Sequence, residues 1–180
     1  MNKPQIHAGA TAWEPSPNNL EPFWMGFTPN RAFKQRPRMI ARAKDMHYYD
    51  MAGRPILDGS AGLWCSNAGH CRDHIVEAIQ KSAAELDFAP TFQYGHPKVF
   101  ELASRLSTMA PADLNYAFFC NSGCEANEAA IKLARLYGHQ KGIENPAIIV
   151  MEQAWHGRTL ATLSATGSRK AQAGFEPLMG

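Results

Sequence analysis

The feature that most limits the fold is a joint. The apolar run "NYAFFC" (115–120) stops at Asn121-Ser122-Gly123, and a long amphipathic pattern begins at once. In 125–139, Ala126, Ala129, Ala130, Leu133, Ala134 and Tyr137 share one helical face. Glu125 and Glu128 near its start suit the helix dipole, and Glu128 can pair with Lys132 four residues on. A second apolar run, "AIIVM" (147–151), follows. Both runs read as buried strands. Strand, tight joint, helix and strand make a βαβ unit, which implies a parallel sheet. The expectation is that 115–120 and 147–151 are neighbouring parallel strands with the helix packed across them.

In such a unit the strand's carboxyl end meets the helix's amino end, where free N–H groups and the dipole favour an anion. Small residues let a phosphate approach. Ser122 offers a hydroxyl, and Gly123 can take turn conformations closed to other residues. Asn121-Ser122-Gly123-Cys124 therefore reads as a phosphate seat, or else as an ordinary turn with Ser122 as N-cap. The second run leads to Trp155-His156-Gly157. Both strand exits would lie at one sheet edge, where open α/β sheets bind ligands. Trp155 could stack there on a planar ring, or it could be a buried side chain filling the edge.

The rest of the chain divides into a polar arm (1–19), a segment from 20 to 70, and the βαβ-containing part from 71 to 180. "LEPFWMGFTPNRAF" (20–33) is aromatic and broken by prolines, so its rings line something. Residues 39–58 read as a small β meander around the turn "DMAG", followed by a loop of small residues (60–70) that carries Trp64. Periodicity predicts helices over 72–86 and 97–109, with Pro97 as a first helical residue.

With 45% hydrophobic and 19% charged residues, the chain can build a packed core. A net charge of +2, with scattered Lys and Arg, gives no nucleic-acid footprint. No apolar run reaches membrane-spanning length and the start has no signal-peptide core, so the expectation is a soluble, cytoplasmic protein with no membrane partner. Four cysteines do not make a disulfide scaffold here. Cys65, His70, Cys71 and His74 lack the tight spacing of a zinc site, and no metal is expected. Cys120 reads as a small buried apolar residue, and Cys124 contributes chiefly its backbone N–H.

"NSGCEANEAAIKLAR" followed by "WHGRT" resembles the class III aminotransferases, fold-type I enzymes that use pyridoxal 5′-phosphate. "GLWCSNAGH" and "FQYGHPKVFELASRL" are similar to the ω-amino acid:pyruvate transaminases, including the β-alanine:pyruvate type. The resemblance implies an α/β, fold-type I architecture: a small-domain segment, then the first part of a mainly parallel large domain that binds the cofactor, incomplete in this chain. It implies that Ser122, Gly123 and Cys124 hold the cofactor phosphate and that Trp155, with His156 and Gly157, lies against its ring. Leu63 and Trp64 would wall the substrate pocket with Phe23, and with Phe92 reaching from a partner subunit of a homodimer or higher homo-oligomer. The substrates would be an ω-amino acid or amine as donor and pyruvate or a similar 2-oxo acid as acceptor. In the family it resembles, the Schiff-base lysine lies downstream of the stretch matched here, and Lys132, Lys141 and Lys170 do not sit in its motif. This chain alone is then expected to be inactive. The alternative is a non-catalytic truncated homologue serving as a dimerisation or phosphate-binding module.

Overall fold

The computed structural model describes residues 20–179, so the arm predicted for 1–19 lies outside the described residues. The chain forms two compact units, one ending at Ala89 and one beginning at Pro90.

The first unit holds α1 (Asn30–Gln35), the strands β1 (Ile40–Lys44), β2 (His47–Asp50) and β3 (Pro55–Leu57), and α2 (Asp73–Glu85). The strands form an antiparallel sheet in the order β1-β2-β3, which is the predicted meander. Its "DMAG" turn is built by Asp50. One carboxylate oxygen accepts from the Ala52 and Arg54 amides at 2.9 Å, the other from Arg54 Nε at 2.6 Å. Gly53 supplies the positive φ of 77° that the turn needs. The sequence reading runs straight through a second turn, at Asp45-Met46 between β1 and β2. Asp45 sits there at φ 51° and exchanges backbone hydrogen bonds with His70 at 2.8 and 2.7 Å. Lys44 Nζ meets Asp73 Oδ1 at 2.6 Å, and Arg72 Nη1 meets Asp45 Oδ1 at 3.0 Å. These contacts tie the start of α2 to the meander, so residues 71–89 go with the first unit, whereas the sequence places a boundary after residue 70.

The second unit holds α3 (Pro97–Met109), α4 (Gly123–Gln140), α5 (Leu160–Ala165) and α6 (Arg169–Gln172). Proline opens α3 as predicted, and His96 Nδ1 caps it by accepting from the Lys98 amide at 3.1 Å. The buried centre of this unit is Thr162, Leu163 and Thr166 on and just after α5, with Gly157 against them.

Two expectations are not met. Residues 115–120 and 147–151 form no ladder, and the meander is the only sheet among the described residues. A parallel strand exists only through hydrogen bonds to neighbouring strands. Neither run has such a neighbour here, and Tyr116 and Ile149 are almost wholly exposed. The second correction concerns α4. Its predicted apolar stripe is largely exposed, with Leu133 and Tyr137 each 61% accessible. The side covered by α5 and the loop before it carries Cys124, Asn127, Glu128 and Ile131. At about 100° per residue this lies roughly opposite the stripe. The predicted Glu128–Lys132 pair is replaced by a bond to Glu128 from the Thr159 hydroxyl.

Candidate functional site

The first turn of α4 is capped reciprocally. Ser122 is extended, and its Oγ accepts from the Glu125 amide at 3.2 Å. Glu125 Oε2 in turn accepts from the Asn121 amide at 2.7 Å. Two more N–H groups of this turn, those of Gly123 and Cys124, have no hydrogen-bond partner among the described residues. Gly123 does not use a left-handed conformation, contrary to expectation. It contributes room instead: a Cβ built there would meet nothing within 4 Å. Unpaired amides, an open approach and the positive end of an 18-residue helix together fit a phosphate.

The segment 155–159 docks on this turn. Asn127 Nδ2 donates to the His156 carbonyl at 2.6 Å, and the Arg158 amide donates to Cys124 Sγ at 3.3 Å. The Thr159 hydroxyl donates to Glu128. Cys124 therefore works through its sulfur as well as its amide. Gly157 is buried at the crossing with φ 142°. A Cβ there would lie 2.8 Å from Thr162 Cβ and 2.9 Å from Cys124 Sγ, so only glycine fits without a shift. The His156 amide donates to Thr166 Oγ1 at 3.1 Å. His156 Nε2 is buried without a partner among the described residues, which leaves one polar atom on this segment unsatisfied. Trp155 is 57% exposed and so is not a buried plug. The structure thus brings Ser122, Gly123 and Cys124 together with His156 and Gly157, although the two strands that were to align them do not pair.

Phe92, also in the second unit, is exposed. In the first unit Phe23, Leu63 and Trp64 are exposed, Trp64 by 80%. Ala61, Gly62, Leu63 and Trp64 have φ of 50°, 58°, 54° and 69°, which makes a single left-handed turn closed by the Trp64 amide on the Ser60 carbonyl at 3.0 Å. Three of these residues carry a Cβ, and each costs about 1–2 kcal/mol in this conformation. Asp58 lies beneath the turn. Its Oδ1 accepts from the Ser60 amide and hydroxyl at 3.0 and 3.1 Å. Its Oδ2 accepts from the Gly62 amide at 2.7 Å and meets His70 Nε2 at 2.7 Å. The Asp58 and His70 side chains are 4% and 10% exposed. Chiefly the His70 bond, then the Ser60 and Gly62 amides, hold the Asp58 carboxyl far below the usual carboxylate range against the opposing effect of burial. Burial, then the Asp58 charge, pushes the Tyr48 phenol up; its ring sits 4.4 Å from the His70 ring.

Asp58 and its partnership with His70 are what the sequence reading missed. The available signal was "DGS" after a strand, a turn-forming Asp whose side chain bonds residues just ahead. His70 appeared in the sequence only as a conceivable zinc ligand. Here its Nε2 faces Asp58, and the described residues contain no group of three or more metal-ligating side chains.

The Aminotransferase class-III family profile matches residues 29–180. An ω-aminotransferase from Caulobacter vibrioides is 45% identical over 163 residues, covering 90% of this chain and 37% of that protein. An acetylornithine aminotransferase from Nitrosomonas europaea is 45% identical, covering 82% of this chain and 37% of that protein. An ω-amino acid–pyruvate aminotransferase from Pseudomonas putida is 39% identical, covering 92% and 36%. Among solved structures, the (S)-enantioselective ω-transaminase from Thermomicrobium roseum superposes with a TM-score of 0.84 at 34% identity, over 91% of this chain and 37% of that one. The ω-transaminase from Pseudomonas jessenii in complex with PMP gives 0.83 at 28% identity, over 90% and 36%. The chain thus spans little more than a third of the length of the curated relatives it matches.

Proposed function

The chain belongs to the class-III aminotransferases, a fold-type I family dependent on pyridoxal phosphate, and we propose that it is the amino-terminal part of a transaminase that moves an amino group from an ω-amino acid or amine to pyruvate or a similar 2-oxo acid. The observation that carries this reading is the docking of 155–159 on the first turn of α4, beside the unpaired Gly123 and Cys124 amides. Those two amides, with the Ser122 hydroxyl, hold the cofactor phosphate, and Gly123 keeps its approach open. Trp155 offers an exposed indole for the cofactor ring, and the fixed backbone of His156 and Gly157 holds the indole's segment in place. Bound pyridoxal phosphate supplies the electron sink that amino-group transfer needs.

The ω-amino donor is supported by two of the relatives' names and the pyruvate acceptor by one of them, and the apolar side chains of Phe23, Leu63 and Trp64 left exposed in the first unit suit a substrate wall. The acetylornithine relatives share the family and widen the donor range to be assayed. The lysine that the family needs is not supplied by Lys132, which is exposed on α4. The assembled enzyme is proposed to be a cytoplasmic homodimer or higher homo-oligomer in which Phe92 lines the partner's pocket. Among the described residues no helix is long and apolar enough to cross a membrane.

A cofactor titration followed by absorbance tests the phosphate seat in the full-length enzyme. Gly123→Val meets open space and no positive φ, so the cofactor-free protein should melt within about 1 kcal/mol of wild type. Its cofactor affinity should fall at least about tenfold through the blocked approach, the equivalent of one charge-assisted hydrogen bond. Wild-type affinity in Gly123→Val places the phosphate elsewhere and leaves the turn an ordinary helix cap.

A further inference from the structure

Trp64 is presented to its surroundings by a backbone that does not hold its own shape. Ala61, Leu63 and Trp64 are all in a conformation that L-residues leave unless something retains them. Packing does not do so: the Leu63 and Trp64 side chains are mostly exposed. A cavity of about 160 Å³ lies against the base of the turn, lined in part by Asp45, Met46, Asp58, Ala61, Ser66 and His70. The turn has room to relax. What does retain it is the Asp58 carboxylate, which takes the Ser60 and Gly62 amides from below, and the short closing bonds of Trp64 to Ser60 and of Ser66 to Ala61.

Asp58 is itself fixed from two sides. Its amide donates to the Met46 carbonyl at 2.9 Å, and its Oδ2 meets His70 Nε2. The His70 backbone is bonded in both directions to Asp45 of the same β1–β2 turn. The Tyr48 ring lies over the imidazole, and a Cβ at Gly62 would come within 3.0 Å of the Tyr48 hydroxyl. One end of the Asp58–His70 pair therefore grips the sheet and the other grips the strained turn.

We infer that Asp58, clamped by His70, is a positioning residue for donor selectivity: it latches the left-handed Ala61–Trp64 turn to the meander and so fixes where Trp64 stands. The donor-selectivity part rests on the reading of Trp64 as a substrate-pocket wall. The latch itself does not.

The test uses the full-length holoenzyme labelled with 5-fluorotryptophan, the Trp64 resonance being assigned through Trp64→Phe. Asp58→Asn removes the acceptor that Gly62 and His70 share. His70→Gln is the milder variant and carries the test if Asp58→Asn does not fold. In either variant the Trp64 fluorine signal should shift or broaden while the Trp155 signal stays. The ratio of kcat/KM for a bulky amine to that for a small ω-amino acid should change about tenfold, the size expected for one lost charge-assisted bond. Cofactor affinity should not change. Adding Ala61→Gly should recover part of both effects, because it removes the strain at one of the three left-handed L-residues that the latch retains. A purely structural carboxylate would not be rescued by a backbone change at another residue. An unmoved Trp64 signal in both variants, or no recovery on adding Ala61→Gly, overturns the latch. If the signal moves and is rescued while neither Asp58→Asn nor Trp64→Ala alters donor ranking, the latch stands and the pocket-wall reading of Trp64 is lost. If Trp64→Ala alters the ranking and the latch variants do not, the role of Asp58 in selectivity is refuted.

Discussion

Gly157→Ala should be among the most damaging single-methyl changes in the second unit. The new Cβ would stand 2.8 Å from Thr162 Cβ and 2.9 Å from Cys124 Sγ, where ordinary contacts begin near 3.4 Å. Thr162 cannot step aside cheaply. It is fully buried, and its hydroxyl bonds Thr159 Oγ1 at 2.7 Å and the Thr159 carbonyl at 3.2 Å. Overpacking of this kind costs about 1–3 kcal/mol. A φ of 142° suits glycine and strains alanine, by about another 1–2 kcal/mol, toward the lower end of what a sparsely populated backbone region costs. The total is about 2–5 kcal/mol, and it falls where the 155–159 segment meets α4. Cofactor affinity should therefore drop together with stability, unlike in Gly123→Val. Thermal melts and absorbance titrations of the full-length enzyme measure both. A double-mutant cycle sharpens the test. Thr162→Ala removes the Thr162 hydroxyl oxygen, which lies nearer the new methyl than Cβ does, so Gly157→Ala with Thr162→Ala should cost less than the sum of the two singles by about 1 kcal/mol or more. Additive costs, or a Gly157→Ala enzyme that melts like wild type, would refute the steric argument.

Ser122→Ala removes an N-cap, so it should lower helix stability by about 0.5–2 kcal/mol and weaken cofactor binding modestly; calorimetry and titration separate the two. Cys124→Ser keeps an acceptor for the Arg158 amide and leaves the backbone donor intact, so its cofactor affinity should equal or exceed wild type; a large loss would show that the sulfur's size matters more than its bonding. The folded-state pKa of Asp58 is depressed, so its contribution is present above the unfolded carboxylate value of about 3.9 and fades as pH falls below it. Near-UV circular dichroism should show the first unit loosening on acidification, with a smaller change in Asp58→Asn. Trp64→Ala should reorder amino donors, measured as kcat/KM across a donor panel, with cofactor affinity little changed.

The capped turn proposed to hold a phosphate was legible in the sequence because everything it needs lies within five residues. Ser122, Gly123 and Cys124 follow an apolar run and precede a helical pattern, and Glu125 completes the cap. Its second half was legible only as a hypothesis. The sequence joined Trp155-His156-Gly157 to that turn through two parallel strands, and the structure joins them without those strands, by bonds from Asn127 to His156 and from Arg158 to Cys124. The left-handed turn under Trp64 was not legible, because no pattern of hydrophobicity encodes a positive φ at alanine, leucine and tryptophan.

What the sequence determined by itself is local. Pro97 opens α3, Asp50 makes the β2–β3 turn, and α2, α3 and α4 lie where the helical period puts them, since capping, turn chemistry and period each depend on residues a few places apart. Tertiary structure decided which side of α4 is covered, that Glu128 serves Thr159 and not Lys132, that Gly157 must lack a side chain, and that Asp58 finds His70. Each of these depends on partners up to 34 residues apart in the chain, and a hydrogen bond or a close contact acts only across space that folding has already closed.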